Sequence, residues 1–203
     1  MLPRLPSFVL VVAFALGASQ ALAAEAFEIC GNCLDDDGDG LVDLADPSCC
    51  TPERTSAMDL VAGRIAPGVA TSGLRLAAKF GAGVALSRDG QQVLLQLGRM
   101  PGGSFCASLP PSAFRGTARK LHLSRRAVAG ARGVRRMILA QTADGAVRWR
   151  ARGRRVGFST DDREGALDIF LLLADAMNPG AAPRCFAARA FFRPGPRGTL
   201  VAE

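Results

Sequence analysis

The sequence predicts an all-β fold: an antiparallel β-sandwich, built from two duplicated halves, with a small N-terminal head stapled by disulfides. Three observations carry that expectation. From Gly73 onward, apolar and polar residues alternate through most of the runs, and period 2 is the signature of a strand with one buried face. Turn-forming clusters such as Ser87-Arg88-Asp89-Gly90 and Asp144-Gly145 separate these runs. The runs recur at a spacing of about 8 to 12 residues, as in sandwiches and barrels.

Taken in order, Leu74, Leu76, Ala78 and Phe80 face inward while Arg75 and Lys79 face out. Val93, Leu95 and Leu97 alternate with Gln92, Leu94 and Gln96, and Phe105 to Leu109 is a short strand ended by Pro110-Pro111. Leu121 and Leu123 flank an outward His122, and Val134 to Gln141 leads into the Asp144-Gly145 turn. Val147, Trp149 and Ala151 then alternate with Arg148, Arg150 and Arg152. Ala166 to Ala174 is apolar except for Asp168, the pattern of a central strand buried on both faces, and Cys185 to Phe192 is the last strong strand. Helix is an alternative only for Thr55 to Ile65 and Arg125 to Gly133. The duplication rests on an echo: Val93 to Leu97 is followed by Phe105-Cys106-Ala107, as Ile169 to Leu173 is followed by Cys185-Phe186-Ala187. A bond between Cys106 and Cys185 would join the two halves.

Charge and hydropathy divide the chain. Residues 1–23 have a basic start at Arg4, an apolar run from Phe8 to Gly17 and the small-x-small site Ala21-Leu22-Ala23, which is the layout of a cleaved signal peptide. The apolar run is too short to span a bilayer, and Phe27-Glu28-Ile29 before Cys30 does not suit lipid attachment. Residues 24–51 form an acidic head, with eight acids and no Lys or Arg between Ala24 and Cys50. Residues 52–72 read as a connector and residues 73–203 as the sandwich; from Thr51 onward ten acids face 24 bases, a net of +14. An exported chain with six cysteines favours disulfides, and a secreted, periplasmic or extracellular location.

The head carries the most specific pattern. Asp35-Asp36-Asp37-Gly38-Asp39-Gly40-Leu41-Val42-Asp43-Leu44-Ala45-Asp46 places aspartates at loop positions 1, 3, 5, 9 and 12, with glycine at 6. That is the ligand rhythm of a calcium loop, because calcium takes six to eight hard oxygens from carboxylates and carbonyls. Asp35, Asp37 and Asp39 are expected to offer side-chain oxygens, Leu41 its carbonyl, Asp43 a direct or water-mediated contact, and Asp46 the closing ligand. Cys30 and Cys33 face Cys49 and Cys50 across this loop, and two disulfides among them would pre-close it, with the partner order open. Four thiolates would also suffice for zinc, but adjacent Cys49-Cys50 suits a tetrahedron poorly.

The run from Asp35 to Asp46 resembles thrombospondin type 3 repeats and related EF-hand-like loops at every specified aspartate and glycine. The wider segment from Cys30 to Cys50 is similar to the N-terminal heads of secreted bacterial proteins. The resemblance implies a calcium-binding extracellular module. One repeat stands here where thrombospondins have a tandem array, and cysteines and Pro47 occupy the place of flanking EF-hand helices.

Between Arg115 and Arg155 there are 13 bases and one acid, Asp144. Arg148, Arg150, Arg152, Arg154 and Arg155 are candidates for binding anionic groups, since guanidinium pairs bidentately with phosphate, sulfate and carboxylate. An anionic polysaccharide or another cell-surface component is the expected kind of partner, with lipid headgroups as an alternative. Nucleic acid is disfavoured by the absence of tyrosine and the inward parity of Trp149. A solvated outer face is the simpler account of such a charge run. Catalysis is not expected: the single histidine, His122, has no nucleophile or orienting acid in any motif, and Asp161, Asp162 and Glu164 read as a connection. The functional expectation is a secreted, calcium-binding, non-enzymatic structural, adhesion or surface-interaction module, with a binder of anionic polymers second and a hydrolase third; without calcium its acidic head is expected to lie against its own arginine face.

Overall fold

The computed structural model describes residues 27–66, 73–81, 83–98, 105–124, 130–156, 165–178 and 181–203. The signal-peptide reading of residues 1–23, the acids Asp161, Asp162 and Glu164, and the helical alternative over 125–129 lie outside these residues.

Eleven strands form one sheet: β1 (Thr55–Ala66), β2 (Gly73–Phe80), β3 (Gln91–Gly98), β4 (Phe105–Leu109), β5 (Phe114–Thr117), β6 (Lys120–Leu123), β7 (Val134–Gln141), β8 (Val147–Arg154), β9 (Gly165–Asp175), β10 (Arg184–Pro194) and β11 (Leu200–Ala202). Their order is β4-β3-β9-β10-β11-β1-β2-β8-β7-β6-β5. All the pairings are antiparallel except that of β1 with β10, which runs parallel over Thr55–Ala57 and Cys185–Ala187. Farther along, the two strands part and β11 fills the space between them.

The fold is all-β, and the sheet curls so that its inward faces share one core. Alternation places Leu74, Leu76, Ala78 and Phe80 of β2, Val93, Leu95 and Leu97 of β3, and Val147, Trp149 and Ala151 of β8 in that core. Two contacts tie strands that are not sheet neighbours. The Trp149 indole N–H donates to Met58 Sδ at 2.8 Å, and the Phe80 and Phe186 rings stack with centroids 4.0 Å apart.

Two expectations change. The stretch read as part of a connector, with helix as an alternative, contains the 12-residue strand β1, set between β11 and β2. A bulge between Leu60 and Ala62 shifts its register and leaves Val61 exposed, so period 2 is interrupted in the sequence.

Cys106 and Cys185 are not bonded to each other. They lie on β4 and β10, with β3 and β9 between. Three strand spacings amount to roughly 14 Å, beyond the Cα separation of about 7 Å that a disulfide can bridge. The sequence echo marks instead the hairpins β3-β4 and β9-β10, which join through the antiparallel pairing of β3 with β9.

Candidate metal centre and basic face

The head covers the outer face of that four-stranded region. Leu94 of β3 and Leu172 of β9 point away from the main core yet are buried, because Leu44, Cys50 and Cys33 of the head pack over them with Cys106 and Cys185. Three disulfides hold the head there: Cys30–Cys49 within it, Cys33–Cys106 to β4 and Cys50–Cys185 to β10. The expected pairing of Cys30 and Cys33 with Cys49 and Cys50 is therefore corrected, since only one bond closes the loop on itself. All six sulfurs are oxidised, so the four-thiolate zinc alternative has no thiolate to offer.

Polar anchors complete the docking. Gln96, 1% exposed, accepts from the Leu44 N–H at 3.1 Å and donates to the Val42 carbonyl at 3.2 Å. Gln96→Leu leaves those two backbone groups without partners under the head and is expected to cost about 1–3 kcal/mol. A lower urea midpoint with an unchanged far-ultraviolet spectrum would show this.

The acidic loop is folded by its own carboxylates. Asp35 accepts from the N–H groups of Gly38 at 2.7 Å and Gly40 at 3.0 Å, Asp37 from that of Asp39 at 3.2 Å, and Asp39 from that of Leu41 at 2.7 Å. Gly40, at loop position 6, has φ +89°, a conformation that a side chain would strain. The result is two overlapping carboxylate groups, Glu28 with Asp35 and Asp37, and Asp37 with Asp39 and Asp46, in each of which one oxygen per residue lies within 4.8 Å of the others.

Asp46 is the buried member of the second group. It is 3% exposed, its Oδ1 accepts from the Ser48 N–H at 2.6 Å, and its Oδ2 is buried with no hydrogen-bond partner. A carboxylate oxygen in that position is costly unless a cation or a donor meets it. The chemistry of the set is all hard oxygen, so these acidic groups could hold a metal ion.

Asp43 is placed differently from the expectation. It is completely buried at the start of a 3-10 turn, Asp43–Ala45. Its Oδ1 accepts from the N–H groups of Gly31 and of Asn32 (3.2 Å), and its Oδ2 from that of Cys33 at 2.6 Å. Burial holds its carboxyl above the ordinary aspartate range, against the opposing pull of the three N–H donors. Asp43 also lies within reach of the Cys33 and Cys106 sulfurs, but these are bonded to each other and cannot ligate a metal as thiolates.

Glu28, which the loop template does not include, joins the acidic cluster. Its carboxylate accepts from the N–H groups of Asp36 and Asp43, both at 2.8 Å, while facing Asp35 and Asp37. It stands before the twelve-residue template, and the only signal for it in the sequence was the acidity of the head as a whole.

On the other half of the sheet, Arg148, Arg150 and Arg152 project from β8 into solvent with Trp149 buried beneath them. Arg154 ends that strand, and Arg155 follows with φ +56°. Lys79, directly opposite Arg148, pairs with Asp144 at 2.9 Å; hydrogen bonds from the Thr142 hydroxyl and the Lys79 ammonium hold the Asp144 carboxyl below its ordinary range. His122 is exposed on β6, opposite Arg115 and Ile138. The acidic head does not lie on this face, and its disulfides to β4 and β10 fix it elsewhere.

Three disulfides fit an oxidising compartment. No helix among the described residues is long and apolar enough to cross a membrane. Comparisons with known protein families, with curated proteins and with solved structures give no match.

Proposed function

We propose that this chain is an exported, calcium-binding β-module that works as a structural or adhesion element rather than an enzyme. The buried, unpartnered Oδ2 of Asp46, on a carboxylate grouped with those of Asp37 and Asp39, carries the reading. Asp35, Asp37, Asp39 and Asp46 serve as the side-chain ligands, Glu28 stands in for Asp43, and the Leu41 carbonyl supplies a backbone oxygen. Calcium suits the set because it accepts many carboxylate oxygens in a flexible shell, whereas magnesium demands a tighter octahedron and keeps its waters. The similarity of Asp35 to Asp46 to a thrombospondin type 3 loop supports the same ion. The ion would link the loop to Glu28 and so fix the head from both sides, leaving the disulfides to hold it on the sheet.

A calcium titration of the full disulfide-bonded chain tests this. The affinity is expected at about 10⁻⁴ to 10⁻³ M, as in other extracellular modules. At a hundredfold excess over Kd, calcium should stabilise the fold by about 2.7 kcal/mol and raise Tm by about 5–10 °C. Asp39→Ala and Asp46→Ala should abolish most of that shift, and magnesium should reproduce little of it. If Tm and the protease resistance of the head are the same in calcium and in chelator, the reading fails.

A further inference from the structure

Four arginines face one another across four neighbouring strands. The registers place Arg136 of β7 opposite Arg152 of β8, Arg152 opposite Arg75 of β2, and Arg75 opposite Arg64 of β1. All four are exposed, and residues directly opposed in a sheet share a face. At about 4.8 Å per strand the row runs roughly 14 Å across the sheet.

Like charges directly opposed in a sheet are destabilising, and acids interspersed among them are the simplest remedy. None of the four makes an ion pair among the described residues, although Lys79, Arg189 and Arg193 elsewhere on the sheet do. The row opens on hollows that no acid among the described residues lines. Arg136, Ile138, Arg150 and Arg152 frame one of about 140 Å³. Arg64 and Arg75 border a cleft of about 950 Å³ with Arg135, Arg154, Arg155 and Arg197, and no Asp or Glu among the described residues lines it.

We infer that this row is a binding track for a linear acidic polysaccharide, its carboxylate or sulfate groups gripped in succession by the guanidinium forks of Arg136, Arg152, Arg75 and Arg64. Charge complementarity selects a polyanion, and the arrangement in a line selects an extended chain over a single small anion. A single-stranded nucleic acid would use exposed aromatic rings for stacking, and the tryptophan on this part of the sheet, Trp149, is 1% exposed. A bilayer surface would be gripped by apolar side chains inserted beside the charges. Among the described residues the exposed large apolar side chains are Phe27, Ile29, Leu34, Val61, Met177 and Phe191, and none stands on the row. Arg64 also lies nine residues along β1 from Thr55, which pairs with the disulfide-bonded Cys185, so roughly 30 Å of strand separates it from that anchor of the head.

The test measures binding of the full disulfide-bonded chain to heparin and to polygalacturonate, with phosphatidylglycerol vesicles and duplex DNA as competitors. The triple variant R75Q/R136Q/R152Q is compared with R54Q/R88Q/R184Q, which removes the same charge elsewhere. Wild type should bind the polysaccharides with an affinity that falls as salt rises. The row variant should lose about tenfold or more, and the charge-matched control less than about twofold. The row variant should melt at or above wild type, since opposed like charges have been removed. Equal losses in the two triple variants, a melting point lowered only by the row substitutions, no polysaccharide binding at low salt, or tighter binding to the vesicles or DNA would each overturn the inference.

Discussion

Replacing Cys50 and Cys185 together by serine is expected to lower the stability of the chain by about 4 kcal/mol, to expose Leu94 and Leu172, and to make the head sensitive to protease. Cys50–Cys185 spans 135 residues of sequence, and Cys33–Cys106 spans 73. Even where Cys30–Cys49 and Cys33–Cys106 provide a shorter path, roughly 80 residues of chain are closed by the Cys50–Cys185 bond, and loop closure on that scale restrains the unfolded chain by about 4 kcal/mol. The native state loses something as well. Cys50, Cys185, Leu94, Leu172 and Leu44 are packed in one small cluster outside the main core, and serine at both sulfurs puts unpartnered hydroxyls there. Urea denaturation of the oxidised double variant, with a dye for exposed apolar surface, measures both effects. An unchanged midpoint would mean that the Cys33–Cys106 bond, packing and hydrogen bonds hold the head without the Cys50–Cys185 bond.

Most strands were legible because one face of each is buried. β2, β6 and β8 alternate in burial as their sequences alternate in polarity. The runs that fail to alternate have a physical cause in the architecture. Leu94 and Leu172 interrupt the polar positions of β3 and β9 because a second layer, the head, covers that side. That layer could be suspected from Ala166 to Ala174, but its identity could not, since it depends on which strands become neighbours. The same dependence hid the disulfide pairing. Cysteines at 33 and 106, or 50 and 185, are brought together by the β4-β3-β9-β10 order, a long-range property without a local signal. β1 was obscured for the opposite reason, by a local bulge that breaks its period. In the loop, Asp35 groups with Asp37 and Glu28, and Asp37 with Asp39 and Asp46, so the predicted aspartates fall into two clusters that share Asp37. The spacing could not tell that the carboxylate at position 9 turns inward.

Asp43→Ala is expected to cost about 3–5 kcal/mol, because three backbone N–H groups lose their acceptor inside the head at about 1–3 kcal/mol each, partly relieved by relaxation. The Gly31, Asn32 and Cys33 N–H groups converge on that one carboxylate, and Gly31 and Cys33 both have positive φ, so the turn that presents the Cys33 sulfur to β4 is organised by Asp43. Asp43→Asn keeps one carbonyl oxygen but aims an amide N–H₂ at donors already present, and its loss should fall between wild type and alanine. The two possible roles of this residue separate under calcium. If Asp43 braces the backbone, its variants are less stable in chelator and calcium still raises Tm by the wild-type increment. If it is a ligand, its variants match wild type in chelator and lose the increment, as Asp39→Ala should. Melting curves of wild type, Asp43→Asn, Asp43→Ala and Asp39→Ala, each with chelator and with calcium, decide between a brace and a ligand. The complete burial of Asp43, with both oxygens already engaged by N–H groups, argues for the brace.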